Sequence, residues 1–204
     1  MRSLIRPLAA LAVAAAATPA TSANAQQAHD HTAGAPGVHN SSYVAPDGSR
    51  VLQHSLVVRA PQAKVWETWT TTEGLKGFVA PIVHIDFRLG GIWESSYDPK
   101  KAIGQPGNIQ NRILSFLPPR MLSIQAVSAP PNFPHSELLT GIFTVIEMDA
   151  VDSASTKVTV SMVGYRSGEG YDAIYRLFDA GNAYTLRKLA EYLEGRQSGM
   201  GNRE

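Results

Sequence analysis

The stretch Tyr171–Leu193, YDAIYRLFDAGNAYTLRKLAEYL, constrains this chain more than any other. It holds no proline, one internal glycine (Gly181) and good helix formers through its second half. Large apolar residues recur at Ile174, Phe178, Leu186, Leu189 and Leu193, with Leu177 and Tyr184 at the margin of the same stripe. That spacing is near the helical period, so the segment reads as a helix with one face to be covered. Most of the preceding chain reads as short β-strands, which makes the cover a sheet. A long helix across a curved antiparallel sheet leaves a cavity between the two, and the cavity is where function is to be sought.

The other end of the chain reads as a targeting segment. Arg2 and Arg6 form a basic n-region, Leu8–Ala17 is a short apolar run, and Ala23-Asn24-Ala25 is an A-x-A cleavage site. Residues 1–25 are therefore expected to be a secretory signal peptide with a mature start near Gln26, which places the protein in the periplasm or outside a bacterial cell. A membrane anchor needs about 20 apolar residues, more than this run supplies, and no other stretch could span a bilayer. Cleavage removes two arginines and no acids, so Lys+Arg falls from 18 to 16 against 17 Asp+Glu, a net charge of −1. That balance gives no electrostatic footprint for nucleic acid or an anionic membrane. There is no cysteine, which excludes disulfides, thiol chemistry and zinc–thiolate sites.

Residues 26–50 are rich in Gly, Ala, Pro, Ser and His and read as a flexible leader. His29-Asp30-His31, with His39 further on, is either a weak divalent-metal site or a solvated tail. Val51–Ala60 reads as a first strand. Pro61 starts a helix with an apolar face at Val65, Trp66 and Trp69, ending at Glu73-Gly74, and a second helical turn follows over Leu75–Val79. Then come about six antiparallel strands. Ile82–Leu89 and Ile92–Tyr97 flank Gly90-Gly91, and Asn108–Leu117 and Met121–Ser128 flank Pro118-Pro119-Arg120. A proline-rich loop, Ala129–Glu137, precedes Leu138–Met148 and Thr156–Arg166. The order β, α, β-run, α is an α+β layout. One domain is expected over residues 51–195, with a disordered tail at 196–204.

These residues resemble a known family. The first strand, Pro61-x-x-x-Val65-Trp66, the segment IDFRLGG (Ile85–Gly91), the strand–Pro-Pro–strand hairpin, Thr156-x-Val158-Thr159-Val160 and the long last helix together resemble the START-like, polyketide cyclase/lipid-transport (SRPBCC) superfamily. Within it the match is to the branch related to the C-terminal domain of the heat-shock-protein ATPase activator. The resemblance runs over roughly Leu52–Leu193, and Leu89 departs from it where a proline is common. It implies a helix-grip fold, in which an antiparallel sheet curls around the C-terminal helix and short helices close one end over an apolar cavity. It also implies a hydrophobic small molecule as partner. A chaperone-cofactor role fits poorly with export, because that partner is cytosolic.

No hydrolase, zinc-protease, phosphate-loop or dinucleotide motif stands in the sequence, and no cofactor is implied. His84, Asp86 and Arg88 share one register of a strand. They are either acid–base machinery in a pocket or a sheet-face ion pair. Trp93, Tyr97, Phe143, Met162, Tyr171, Tyr175 and Phe178 are candidates for ligand-binding pocket lining, since large rings with one polar handle suit a cavity; each could equally be ordinary core. His135 stands either at the cavity mouth or in an exposed loop. Three functions are weighed: a carrier of a hydrophobic or amphipathic small molecule, a cyclase-type enzyme using His84, Asp86 or a pocket tyrosine, and a protein-interaction module.

Overall fold

The computed structural model describes residues 37–200. Residues 1–36, which include the segment expected to be a signal peptide and His29 and His31, and residues 201–204 lie outside the described residues. Two short strands, β1 (His39–Asn40) and β2 (Tyr43–Val44), precede β3 (Arg50–Val58). Then come α1 (Gln62–Thr70), α2 (Thr72–Lys76), β4 (Ile82–Ile85), β5 (Ile92–Ser96), β6 (Ile109–Leu117) and β7 (Met121–Ser128). A 3-10 turn (Ser136–Gly141), β8 (Phe143–Ala150), β9 (Thr156–Tyr165) and α3 (Glu169–Met200) complete the described residues.

All nine strands form one antiparallel sheet in the order β1-β3-β9-β8-β7-β6-β5-β4, with β2 also pairing β3. Strands β4 to β9 are a plain meander, which short connections favour. The non-local step is β3, which pairs with the last strand from Leu52↔Met162 to Val58↔Thr156. Helices α1 and α2 carry the chain from there to β4 at the opposite edge. The α+β helix-grip layout expected from the sequence is therefore the observed one.

Several boundaries differ from the sequence expectation, each for a local reason. The stretch read as leader is part of the sheet from His39, because β1 and β2 pair with the outer edge of β3. Helix α1 stops at Thr70 instead of Glu73-Gly74. Thr71 is extended, and its hydroxyl accepts from the Gly74 N–H (3.1 Å), capping α2. Strand β4 stops at Ile85, and residues 86–91 form its turn, with Gly90 at φ 73°. Strand β8 starts at Phe143 because the backbone coils at Ser136–Gly141 after His135, whose φ is 52°. Helix α3 runs seven residues past Leu193, to Met200.

Helix α3 is held at two places. Leu186, Leu189 and Leu193 join Trp69, Leu75, Trp93, Ile113, Leu122, Ile146 and Val158 in the larger core cluster. Ile174 joins Leu52, Leu139, Ile142, Met162 and Tyr165 in the smaller one. The four α3 residues are 0–3% exposed. Burying each side chain of this size is worth about 1.5–3 kcal/mol. Partly exposed ion pairs such as Arg50–Asp172 (2.7 Å) contribute roughly 0–1 kcal/mol, so the apolar grip decides where the helix sits.

One buried polar contact adds to it. His54 on β3, 3% exposed, has its Nε2 3.1 Å from Asp179 Oδ1, and Asn40 donates to the same oxygen. Burial lowers the His54 pKa below its ordinary 6.5, while the Asp179 carboxylate pulls it back up; burial wins. The folded state thus favours neutral His54, and the unfolded chain takes up a proton first as pH falls. Stability should be full above about pH 6.5 and decline below it, and His54→Gln should flatten that part of a urea-midpoint-versus-pH profile. A profile identical in the variant would remove His54 from the account.

Glycine supplies a second test. Gly164 has φ 101°, and a Cβ there would overlap the Gly141 carbonyl oxygen, whereas a Cβ on Gly181 in α3 meets nothing. Gly164→Ala should destabilise by roughly 1–3 kcal/mol. Gly181→Ala should stabilise by about 0.5–1 kcal/mol. Urea denaturation checks both, and equal midpoints would show that the close approach to Gly141 is no constraint.

Candidate functional site

Between its two gripped ends α3 is tied to the β1–β3 side of the sheet through Asp179, and over the middle of the sheet it stands off. Phe178, Asn182 and Thr185 occupy the intervening inner positions, and they face a cavity of about 400 Å3. Cavities that hold small molecules run to about 300–1,000 Å3. The sheet floor follows the period of two. Trp93, Ser95 and Tyr97 come from β5 and its end, Ile109 and Asn111 from β6, Ile124, Ala126 and Ser128 from β7, Thr144 and Ile146 from β8, and Val160 and Met162 from β9. Trp69 of α1 and Val79 after α2 close one end; Ala129, Pro130, Phe133 and Leu139 close the other.

The aromatic walls are mutually braced. Trp69 stands edge-on to Phe78 (4.9 Å between centroids) and to Trp93 (6.1 Å), and Phe133 packs on Phe178 (5.9 Å). Among the described residues no Asp, Glu, Lys, Arg or His side chain lines the main cavity. Its polar side chains are neutral. Those of Ser95, Asn111, Thr144 and Thr185 make no hydrogen bond among the described residues, and the buried Asn182 Nδ2 and the Trp69 and Trp93 indole N–H groups have no partner.

A smaller chamber of about 210 Å3 shares Ser95, Tyr97, Ile109 and Pro130 with the main cavity and adds Asp98, Lys101 and Gly107 from the loop after β5. That loop is tied down from behind by Glu94, 6% exposed on the opposite face of β5. Its carboxylate accepts from Gly104 N (2.7 Å), Asn108 Nδ2 (2.6 Å) and Gln110 Nε2 (3.4 Å). Burial works against ionisation, but those donors, with His84 across the β4–β5 ladder, outweigh it and hold the Glu94 pKa below its ordinary 4.5.

Four of the seven aromatic and sulfur candidates meet at this cavity: Trp93, Tyr97, Met162 and Phe178. Tyr97 stands 62% exposed at the rim. Phe143, Tyr171 and Tyr175 do not line it. Phe143 is one residue out of register with inward-facing Thr144 and Ile146. Tyr171 and Tyr175 belong to the smaller core cluster, where Tyr175 stacks edge-on to Tyr165 (5.1 Å) beneath Arg50. Asp86 and Arg88 form an exposed ion pair (2.8 Å) in the β4–β5 turn, and His84 is exposed on β4, so none of the three enters the cavity. His135 is 3.7 Å from Glu137 in an exposed loop.

Sequence reasoning missed Trp69, Phe133, Asn111 and the pair Asn182/Thr185. Two signals for the polar ones were present: Asn111 interrupts the inward register Ile109-x-x-x-Ile113, and Asn182 and Thr185 interrupt the apolar stripe of α3. Among the described residues no cluster of His, Cys, Asp and Glu suits a metal ion, and no helix is long and apolar enough to cross a membrane.

The Glu94 tether is open to test. Its contribution is present above about pH 4.5 and lost as pH falls through the depressed folded pKa. Hydrogen exchange of the Gly104 amide should therefore accelerate in Glu94→Ala at neutral pH by about tenfold. Unchanged Gly104 protection in that variant would mean the loop is held by something else.

The family described as Activator of Hsp90 ATPase homolog 1-like protein matches this chain over residues 59–194. No curated protein matches the sequence. Among solved structures, the Aha1 dimer from Colwellia psychrerythraea is 18% identical, with 71% of this chain and 96% of that one covered and a TM-score of 0.55. CalU16 from Micromonospora echinospora is 16% identical over 79% and 88% (TM-score 0.54). Norcoclaurine synthase from Thalictrum flavum, solved with dopamine and hydroxybenzaldehyde, is 14% identical over 76% and 89% (TM-score 0.53). These likenesses are of fold.

Proposed function

Because the chain belongs to the Activator of Hsp90 ATPase homolog 1-like family of the helix-grip superfamily, we propose that it holds a hydrophobic or amphipathic small molecule between α3 and the sheet, as a carrier or receptor. The observation that carries this reading is the braced, mostly apolar cavity of about 400 Å3 beneath the inner face of α3 between its two anchorages. Apolar ligand surface buried there gains about 25 cal/mol per Å2. The walls are drawn from rigid strands and from both core clusters, so the site is formed before a ligand arrives. Norcoclaurine synthase, on the same fold, is seen with two small aromatic molecules, a precedent for such an occupant.

Binding is favoured over acid–base catalysis by the placement of His84, Asp86 and Arg88, all on the outside. Proton transfer needs a group within hydrogen-bond reach of the ligand, and the ionisable side chain closest to that role is Tyr97 at the rim. Export through residues 1–25 belongs to the same proposal, supported by the basic n-region, the apolar run and the A-x-A site. An exported binding protein would work in the periplasm or outside the cell, away from a cytosolic ATPase.

The test is native mass spectrometry of protein purified from its own host, with organic extraction of what co-purifies. The expected result is a chain beginning near Gln26 that carries one apolar molecule per protein. An intact N-terminus would remove the export half of the proposal. Protein that emerges empty and gives no fluorescence enhancement with N-phenyl-1-naphthylamine, a neutral apolar dye, would sink the carrier half.

A further inference from the structure

The geometry points to an uncharged ligand bearing at least one hydrogen-bonding oxygen: a ketone, phenol or alcohol on a ring system, in preference to a carboxylic acid, an amine or a bare hydrocarbon. This rests on the carrier reading and goes beyond it by naming the ligand's chemistry.

Charge is the first constraint. A buried ion without a counter-charge or a full set of hydrogen bonds is strongly disfavoured, and among the described residues the main cavity offers no Asp, Glu, Lys, Arg or His. The second constraint is the polar inventory. Asn111 projects from the middle of the floor, opposite Trp93 on β5 and Ala126 on β7, and Ser95 lies two residues along β5 on the same face. Asn182 and Thr185 lie three apart on α3, hence on one face of the helix, across from that floor. Asn182 Nδ2 is buried without a partner, although buried polar groups are normally paired, and the cavity-facing side chains of Asn111, Ser95 and Thr185 make no hydrogen bond among the described residues. An apolar molecule would leave both poles unpaired, whereas an oxygen accepting from an amide or hydroxyl satisfies one of them. Sites with buried polar groups discriminate hard against ligands that lack the matching atom.

The competing arrangement uses the side chamber. Lys101 lines it, with its Nζ donating to the Pro106 carbonyl (3.0 Å) and two further N–H groups available, so a carboxylate could extend to it from the rim. Asp98 lines the same chamber and sets a negative charge beside any such anion.

Competition against N-phenyl-1-naphthylamine on the full chain at neutral pH separates these cases. The competitors share one ring system: 2-acetonaphthone, 2-naphthol, naphthalene, 2-naphthoate and 2-naphthylmethylammonium. The ketone and the phenol should displace the dye at concentrations roughly tenfold or more below naphthalene and both ions. Asn111→Leu should shrink the ketone-to-naphthalene ratio toward one, a readout that a general loss of packing does not produce. Naphthalene competing as well as the ketone, with the dye bound, would overturn the polar requirement and leave the carrier reading standing. Naphthoate competing best, and weakened by Lys101→Met, would overturn it in favour of an anionic head at the side chamber. Failure of the dye and of every competitor to bind would take down the carrier reading and this inference together.

Discussion

Everything in this structure depends on how α3 is gripped. Three leucines near its C-terminal half and one isoleucine near its start are driven out of water into separate apolar clusters, and these two anchorages set the height of the helix over the sheet. Between them the inner face carries Phe178, Asn182 and Thr185, which do not fill the gap. A well-packed interior leaves few voids larger than a water molecule. A cavity of about 400 Å3 is therefore a property of the design, sustained by rigid strands below and a helix pinned at both ends.

The sheet supplies the rigidity and also the asymmetry. Pairing β3 with β9 closes the meander on its far side and brings His54 under Asp179, so the polar supports of α3 lie away from the cavity. At the other edge β5 has two jobs. Its inward residues Trp93 and Ser95 form part of the floor, and outward Glu94 ties the following loop down as one lip of the mouth. Adjacent residues of one strand thus serve ligand space and loop anchoring without interfering, because the side chains alternate between faces.

Where local pattern and tertiary demand agree, the sequence was readable. The α3 stripe, the strand runs of β6, β7 and β9 and the hairpins at Gly90-Gly91 and Pro118-Pro119 all agree, and the helix-grip layout follows from them. The misplaced boundaries fall where a single local bond competes with the pattern. Thr71 caps a new helix in what looked like one continuous segment, and the backbone coils at Ser136–Gly141 although Leu138 and Leu139 are acceptable strand residues. Strands β1 and β2 were invisible because two-residue edge strands have no periodicity of their own and exist only through their partner.

Trp93 and Met162 could be chosen for the site because they are large and inward-facing in well-read strands. Phe143 is large but stands on the face opposite cavity-lining Thr144 and Ile146, and Tyr171 and Tyr175 fall in core because one helix face continues from cavity into core without a break in sequence. By itself the sequence determined the element order, the buried stripe of α3 and the presence of something for it to cover, since these follow from local periodicity. Only the tertiary structure decided that a cavity opens beneath Phe178, Asn182 and Thr185 between the two anchorages, with Asn111 on its floor and Asn182 on its roof. That outcome depends on the distance between elements more than a hundred residues apart in origin, such as β1 and α3 joined through Asn40 and Asp179, 139 residues apart, and no local pattern encodes a distance.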